Sequence, residues 1–193
     1  MSIGAHAVRR AGDLRGEFVL VIGAGPIGLG VMTFAKKEGA KVIVMDVNDE
    51  RLSFCKKWAG VDYTVNALQD PMQSLSDITD GDFPTVVFDA TGNVKSMTDS
   101  FNYVAHGGKL IYVGLVKSNI TFSDPDFHKK ELTLMGSRNA AREDFDYVME
   151  AVKAGEVDIE SYITHRSNFD DMIDQYESWL KPESKVIKAV VKL

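Results

Sequence analysis

Three glycines in one short segment have the spacing of a nucleotide-binding turn. Gly23, Gly25 and Gly28 give the pattern G-x-G-x-x-G directly after an apolar run. In such a turn, the first glycine permits the bend, the second lets the backbone approach a pyrophosphate, and the third allows the next helix to pack closely. The N–H groups at the helix start then face the phosphates. We include Pro26 and Ile27 at this helix start as candidates, since proline suits a first helical turn.

An acidic residue follows at the distance that such a site requires. Asp46 ends the next apolar run, 21 residues after Gly25, and Val47 lies beside it. A carboxylate here can accept hydrogen bonds from the ribose hydroxyls of adenosine and would repel a 2′-phosphate. We therefore expect NAD rather than NADP. Arg51 is the competing signal, because its guanidinium could pair with a phosphate from the following predicted helix.

The elements that must position these residues alternate between strands and helices. The alternation predicts an α/β fold, a doubly wound (Rossmann) parallel sheet of six strands in the order 3-2-1-4-5-6. Residues 66–82 are polar and remain unassigned, with Pro71 and Gly81 as breakers. The predicted strands are 17–22, 41–46, 61–65, 85–90, 109–114 and 131–137, and the predicted helices are 27–38, about 50–58 with Asp49 as N-cap, and about 94–104.

The last quarter of the chain follows a different pattern. Its alternation is too weak to extend the parallel sheet, and its apolar residues need a partner surface. The predicted elements are a helix at 141–154, a strand at 162–166, a helix at 169–180 and a closing strand at 185–193.

The composition limits the classes of function. Of the 193 residues, 45% are apolar and 26% are charged, as in ordinary globular proteins. The net charge of −6 and the lack of a basic run argue against nucleic-acid binding. No apolar run is long enough to cross a membrane. A single cysteine, Cys55, excludes an intrachain disulfide, so we expect a cytoplasmic protein.

Several motifs together resemble one enzyme family. The segments VLVIGAGPIGLG, VIVMDVNDERL, VVFDATGN, GGKLIYVGL and GSRNAAREDF occur in the order found in the zinc-type medium-chain alcohol and polyol dehydrogenases. Sorbitol, threonine and sugar-acid dehydrogenases are the most similar members, and the resemblance extends over essentially the whole chain. It implies hydride transfer between an alcohol, polyol or sugar acid and NAD in the intact enzyme.

The resemblance adds cofactor-binding candidates at the ends of three later strands. The loop after the fourth strand would lie beside the adenosine and pyrophosphate, and the ends of the fifth and sixth strands would flank the nicotinamide. These positions agree with the rule that ligands bind beyond the carboxyl ends of parallel strands. The added candidates are Ala90, Thr91, Gly92, Asn93, Val113, Gly114, Leu115, Ser137 and Arg138.

The chain also departs from the family pattern. Intact members carry an N-terminal catalytic domain with the cysteine, histidine and acidic ligands of zinc, and we find no such ligand set here. We therefore expect no catalytic or metal-ligating residue in this chain, and the four scattered histidines are assigned to surface or packing roles. The expected domains are a linking helix at 1–16, an NAD-binding domain at 17–140, and a segment at 141–193 that returns to an incomplete catalytic domain.

The expected function is thus the NAD-binding portion of such a dehydrogenase, inactive alone and paired as a homodimer or higher oligomer through the sixth-strand edge. Two alternatives remain. One is a stand-alone NAD-binding or sensing module, and the other is an S-adenosylmethionine-dependent methyltransferase. A short-chain dehydrogenase is not expected, because no tyrosine precedes a lysine by four residues, and no Gly-Lys-Ser/Thr of a P-loop follows the turn.

Overall fold

The structure, a computed structural model, describes residues 1–193 with the exception of the side chain of Pro182. The chain divides into two compact units, Met1–Val148 and Met149–Leu193. Within the residues that the structure describes, none of the helices has both the length and the apolarity needed to span a bilayer.

The first unit is built on a six-stranded parallel sheet in the order β3-β2-β1-β4-β5-β6, which confirms the predicted doubly wound fold. β1 pairs with β2 on one side and with β4 on the other, so the direction of winding reverses between β1 and β4. Ligands bind at such a switch point, beyond the carboxyl ends of the strands. The strands are β1 Phe18–Ile22, β2 Lys41–Asp46, β3 Tyr63–Asn66, β4 Val86–Asp89, β5 Lys109–Tyr112 and β6 Thr133–Gly136.

The central strands are buried on both faces because helices cover the sheet from both sides. All residues of β1 except Phe18, and all of β2 except Lys41, are buried. This burial explains why these strands are continuous apolar runs rather than alternating ones. The helices of the unit are α1 Ser2–Ala11, α2 Pro26–Lys37, α3 Asp49–Trp58, α4 Pro71–Ile78, α5 Val94–Asp99, α6 Asp124–Lys129 and the start of α7 Arg142–Lys153.

Three local predictions need correction, and one further helix was not predicted. Helix α3 is capped by Asn48 rather than Asp49, because the Asn48 side chain accepts a hydrogen bond from the N–H of Arg51. The unassigned polar segment contains α4, which the Asp70 carboxylate caps, and Pro71 begins this helix instead of breaking it. The predicted helix at 94–104 ends at Asp99 and continues as a 3-10 turn, Ser100–Tyr103. Helix α6 was not predicted.

Helices α1 and α2 pack backbone against backbone. A Cβ atom placed on Gly4 would lie 2.4 Å from the carbonyl carbon of Gly30 and 2.4 Å from the nitrogen of Val31. Such a contact leaves no space for any side chain at residue 4. Glycine at this position therefore allows α1 to lie directly on the helix that follows the glycine-rich turn.

A buried ion-pair cluster also fixes α1 to the start of α7. Asp144 is 2% exposed, and its carboxylate accepts hydrogen bonds from Arg9 Nε at 2.8 Å and from the N–H of Ala141 at 2.7 Å. His6 Nδ1 lies 2.8 Å from the same carboxylate. Burial would raise the pKa of Asp144, but the hydrogen bonds from Arg9, Ala141 and His6 outweigh it and hold the pKa below its usual value.

The second unit contains the rest of α7, two further helices, α8 Ile159–Tyr162 and α9 Met172–Trp179, and two strands. The strands β7 His165–Asn168 and β8 Ala189–Lys192 form a separate parallel pair. The strand predicted at 162–166 is wrong at its start, since residue 162 ends a helix. Several large apolar side chains of this unit are exposed, namely Phe169, Ile173, Tyr176 and Leu180.

Candidate functional site

A cleft of about 550 Å³ opens at the carboxyl ends of β1, β2 and β4, at the point where the winding reverses. It brings together residues from the glycine-rich turn, the end of β2 and the loop after β4. Eight predicted site residues line it, namely Gly23, Gly25, Asp46, Val47, Arg51, Ala90, Thr91 and Asn93. The lining residues that sequence analysis missed are Ile22, Met45, Ala67, Lys95, Ser96, Asp99 and Tyr103.

The three glycines of the turn have different environments. Gly23 has a φ of +99°, and a Cβ there would lie 3.1 Å from the Thr91 side chain. A Cβ on Gly28 would lie 1.8 Å from the carbonyl oxygen of Gly23, so α2 can pack against the end of β1 only if residue 28 is glycine. A Cβ on Gly25 would meet nothing within 4 Å. Close packing of α2 on β1 therefore favours a glycine at 28, whereas at 25 the protein leaves open space.

Backbone donors surround that open space. Among the residues that the structure describes, none accepts a hydrogen bond from the N–H groups of Gly25, Ile27 or Gly28. These groups belong to the N-cap and first turn of α2, where a helix has no internal acceptors for its N–H groups. Pro26, at the first position, has no N–H and fixes the backbone there. The turn can accordingly donate several hydrogen bonds to an anion.

The Asp46 carboxylate connects the end of β2 to this turn. It is 9% exposed; Oδ2 accepts a hydrogen bond from the N–H of Ala24 at 2.7 Å, and Oδ1 accepts one from the N–H of Asn48 at 2.9 Å. A carboxylate has about four acceptor positions, so each oxygen keeps capacity for a ligand hydroxyl. Asp46 therefore both fixes the glycine-rich turn and presents acceptors to the cleft.

A second buried carboxylate organises the loop after β4, and sequence analysis did not assign it a role. Asp89 is fully buried; its Oδ1 accepts hydrogen bonds from the backbone N–H and hydroxyl of Thr91, at 2.9 and 2.6 Å. Its Oδ2 accepts one from the Ser96 hydroxyl at 2.7 Å. Burial raises the pKa of Asp89, and these hydrogen bonds oppose the rise. The sequence signal was a charged residue inside an otherwise apolar strand.

One wall of the cleft carries polar side chains at intervals of four residues. Lys95, Asp99 and Tyr103 line this wall, which consists of α5 and the 3-10 turn that continues it. Lys95 Nζ donates a hydrogen bond to Asp99 Oδ2. Burial, followed by the negative charge of Asp99, raises the pKa of the Tyr103 hydroxyl. The spacing of four was the available sequence signal.

The other predicted site residues do not line this cleft. A Cβ on Gly114 would lie 2.4 Å from the nitrogen of Gly92, so the loops after β4 and β5 touch through their backbones. Val113 is buried and Leu115 is 86% exposed. Two further predicted site residues follow β6: Ser137 is 7% exposed, and Arg138 is exposed.

Ser137 has an unusual environment at the end of β6. Its N–H donates a hydrogen bond to the carbonyl oxygen of Tyr112 at 2.8 Å, which extends the strand pairing. Its buried hydroxyl oxygen has no hydrogen-bond partner among the described residues. Because a buried hydroxyl without a partner is destabilising, this atom is suited to a bound polar group.

Metal-ligating side chains are not grouped in the described part of the chain. It contains no set of three or more His, Cys, Asp or Glu residues that could hold a metal ion. Cys55 lies in α3, fully buried, and burial followed by the charge of Asp46 raises the pKa of its thiol to about 12. A protonated, inaccessible thiol does not ligate metal. The described residues therefore do not fit a zinc centre.

Comparison with known proteins defines the class to which this fold and cleft belong. Residues 26–154 match the family model described as "Zinc-binding dehydrogenase". The chain is 40% identical over 190 residues to L-galactonate-5-dehydrogenase of Escherichia coli K12, covering 98% of this chain and 56% of that protein. It is 32% identical over 186 residues to D-xylulose reductase of Scheffersomyces stipitis, covering 92% and 51%. The chain thus spans about half the length of these relatives.

A solved structure gives the same result for the fold. A protein from E. coli CFT073 described as a short chain alcohol dehydrogenase, complexed with cofactor NADH, superposes with a TM-score of 0.89 at 25% identity. The match covers all of this chain and 57% of that protein. The fold, with a cleft at its switch point, defines a Rossmann-type α/β domain. The family match then makes the assignment specific: the chain belongs to the zinc-binding dehydrogenase family.

Proposed function

We propose that this chain is the NAD-binding portion of a zinc-dependent dehydrogenase that oxidises an alcohol, a polyol or a sugar acid. The observation that carries the proposal is the cleft itself. It joins the glycine-rich turn, with its unoccupied N–H donors, to the buried Asp46 carboxylate at the switch point of the sheet. Membership of the zinc-binding dehydrogenase family favours NAD over S-adenosylmethionine as the ligand of this cleft.

The residues around the turn would bind the adenosine and pyrophosphate half of NAD. The N–H groups of Gly25, Ile27 and Gly28 would donate to the pyrophosphate, and Asp46 would accept from the ribose hydroxyls. The negative charge of Asp46 favours NAD over NADP, because a 2′-phosphate would be repelled. Arg51, Val47, Ala90, Thr91 and Asn93, which line the same cleft, would contact adenosine or phosphate.

The ends of β5 and β6 would bind the nicotinamide half. Val113, Gly114 and Leu115 would offer backbone groups, and the partnerless Ser137 hydroxyl would hydrogen-bond the carboxamide. Arg138, exposed beside it, would contact cofactor or solvent. When NAD is bound, it supplies the hydride acceptor, and these residues only hold and orient it.

In this proposal, residues 1–16 link two domains, residues 17–140 bind NAD, and residues 141–193 complete a catalytic domain that supplies the zinc ligands. The proposed substrate classes of the intact enzyme are based on the names of two relatives, which refer to a sugar acid (L-galactonate) and a ketopentose (D-xylulose). The chain would be cytoplasmic and pair through β6, whose outer edge has no strand neighbour in the described sheet and whose Leu134 is 38% exposed.

Calorimetry with the 193-residue chain tests the central claim. We expect saturable NAD binding, weaker NADP binding, and no alcohol-dependent NADH formation with or without zinc. A folded sample that binds no NAD at about millimolar concentration would refute the cofactor assignment. Zinc-dependent turnover by the purified chain would refute the expectation that the catalytic centre lies elsewhere. Sedimentation at micromolar concentration, compared with a Leu134→Lys variant, would test the edge-strand dimer.

A further inference from the structure

The inner part of the cleft carries a polar group that the binding scheme above does not use. Tyr103 is 9% exposed, and its ring packs in the core cluster with Ile22 and Met45, which also line the cleft. Among the residues that the structure describes, no hydrogen-bond partner is found for its hydroxyl. The hydroxyl is not among the buried polar atoms that lack a partner, so it is open to the cleft although the ring is largely buried. The hydroxyl is therefore suited to a ligand.

The three residues of the polar wall differ in exposure. The Lys95 side chain is 85% exposed and the Asp99 side chain is 36% exposed, whereas Tyr103 as a residue is 9% exposed. The exposed fraction thus falls along the row from Lys95 to Tyr103, whose ring is packed in the core and whose hydroxyl is open to the cleft. Because Lys95 and Asp99 pair with each other, Tyr103 is the member of the row with no partner of its own.

The position of the cleft decides which part of a dinucleotide meets this wall. Asp46 lies at the end of β2, where an acidic residue binds the adenosine ribose. The base joined to that ribose must lie beside Asp46, in the space between the ends of β2 and β4. Apolar side chains of Ile22, Met45 and Ala67 line the same space, which suits the face of a purine.

We propose that the Tyr103 hydroxyl hydrogen-bonds the edge of the adenine base and so makes the site selective for the adenosine end of the ligand. This inference rests on the proposed NAD-binding function. A tyrosine phenol is protonated at neutral pH, so it can donate to a ring nitrogen of adenine or accept from the amino group.

The substitution Tyr103→Phe tests the proposal, because it removes the hydroxyl and leaves the ring in the core. Since the hydroxyl has no protein partner, the variant should fold with an unchanged or higher Tm. Its Kd for ADP-ribose and for NAD should rise about three- to tenfold, as expected for one lost hydrogen bond. Binding of nicotinamide mononucleotide, which lacks adenine, should not change.

Tyr63→Phe is the matched control, since Tyr63 lies on β3 outside the cleft lining and should bind all three ligands like the wild type. The inference is overturned if Tyr103→Phe binds ADP-ribose with wild-type affinity while the wild type binds it well. It is also overturned if the variant weakens ADP-ribose and nicotinamide mononucleotide equally. If the wild type binds neither NAD nor ADP-ribose, the proposed function itself fails, and that outcome is distinguishable from the other two.

Discussion

A pair of glycine-to-alanine substitutions, three residues apart, should separate folding from cofactor binding. In Gly28→Ala, the new methyl would lie 1.8 Å from the Gly23 carbonyl oxygen. An ordinary contact needs at least 3.4 Å, so α2 and the end of β1 must separate by about 1.6 Å at this point. Overpacking of this kind costs about 1–3 kcal/mol, more than the roughly 0.5–1 kcal/mol that alanine gains over glycine in a helix.

Gly25→Ala should behave in the opposite way. The site has a φ of −82°, which alanine adopts without strain, and no atom lies within 4 Å of the new methyl. Stability should therefore be unchanged. The methyl would, however, point into the space proposed for the pyrophosphate, so NAD affinity should fall by about tenfold or more.

Thermal unfolding and calorimetry measure both effects. After the gain of alanine in a helix is subtracted, the net loss is up to about 2.5 kcal/mol, which lowers Tm by up to about 10 °C for a chain of this length. Gly28→Ala should therefore melt below the wild type, and Gly25→Ala should not. A wild-type Tm for Gly28→Ala would refute the packing argument. Wild-type NAD affinity in Gly25→Ala would refute the assignment of the open space to a phosphate.

Three further outcomes are expected. Asp46→Asn removes the charge that opposes a 2′-phosphate, so calorimetry should show the ratio of NADP to NAD affinity rising about tenfold. Because the pKa of Asp144 is lowered in the folded state, its contribution to stability is present above about pH 4 and is lost as the pH falls through that lowered pKa. Below about pH 4, the free energy of unfolding in urea should therefore fall less steeply with pH in Asp144→Asn than in the wild type. Cys55, with a pKa of about 12, should react with a thiol-labelling disulfide only after unfolding.

Each of these predictions has a clear contrary result. An unchanged cofactor ratio in Asp46→Asn would show that its charge does not select the cofactor. Parallel acid-unfolding curves for the wild type and Asp144→Asn would show that the cluster around Asp144 contributes nothing to acid stability. Rapid labelling of Cys55 in the native protein would contradict its burial, and labelling in denaturant provides the positive control.

Sequence patterns predicted the half of the site that depends on local geometry. Glycine spacing and an acid at a strand end are properties of a few neighbouring residues, so the turn and Asp46 were placed correctly beside each other. Apolar strands alternating with helices predicted a parallel sheet, and the glycine-rich turn after the first strand indicated the doubly wound order. These rules need no knowledge of side-chain packing.

The far wall of the cleft could not be obtained in this way. Lys95 and Asp99 lie on α5 and Tyr103 lies on the 3-10 turn that follows it. Their spacing of four is visible in the sequence, but the cleft that this face lines depends on contacts between distant parts of the chain. Likewise, nothing in the sequence shows that the Asp89 carboxylate turns inward to Thr91 and Ser96. Helix α4 was missed because Pro71 was interpreted as a breaker, although proline is well suited to a first turn.

The contact at Gly4 has a mechanical consequence. Where two helices meet through side chains, rotamer changes can absorb small displacements between them. Here the backbones of α1 and α2 touch directly, so no deformable layer lies between them. Close-packed atoms transmit strain rather than dissipate it. A displacement of α1 should therefore move α2 with it. The N–H groups at the first turn of α2 would move too, so the two helices should behave as one rigid body.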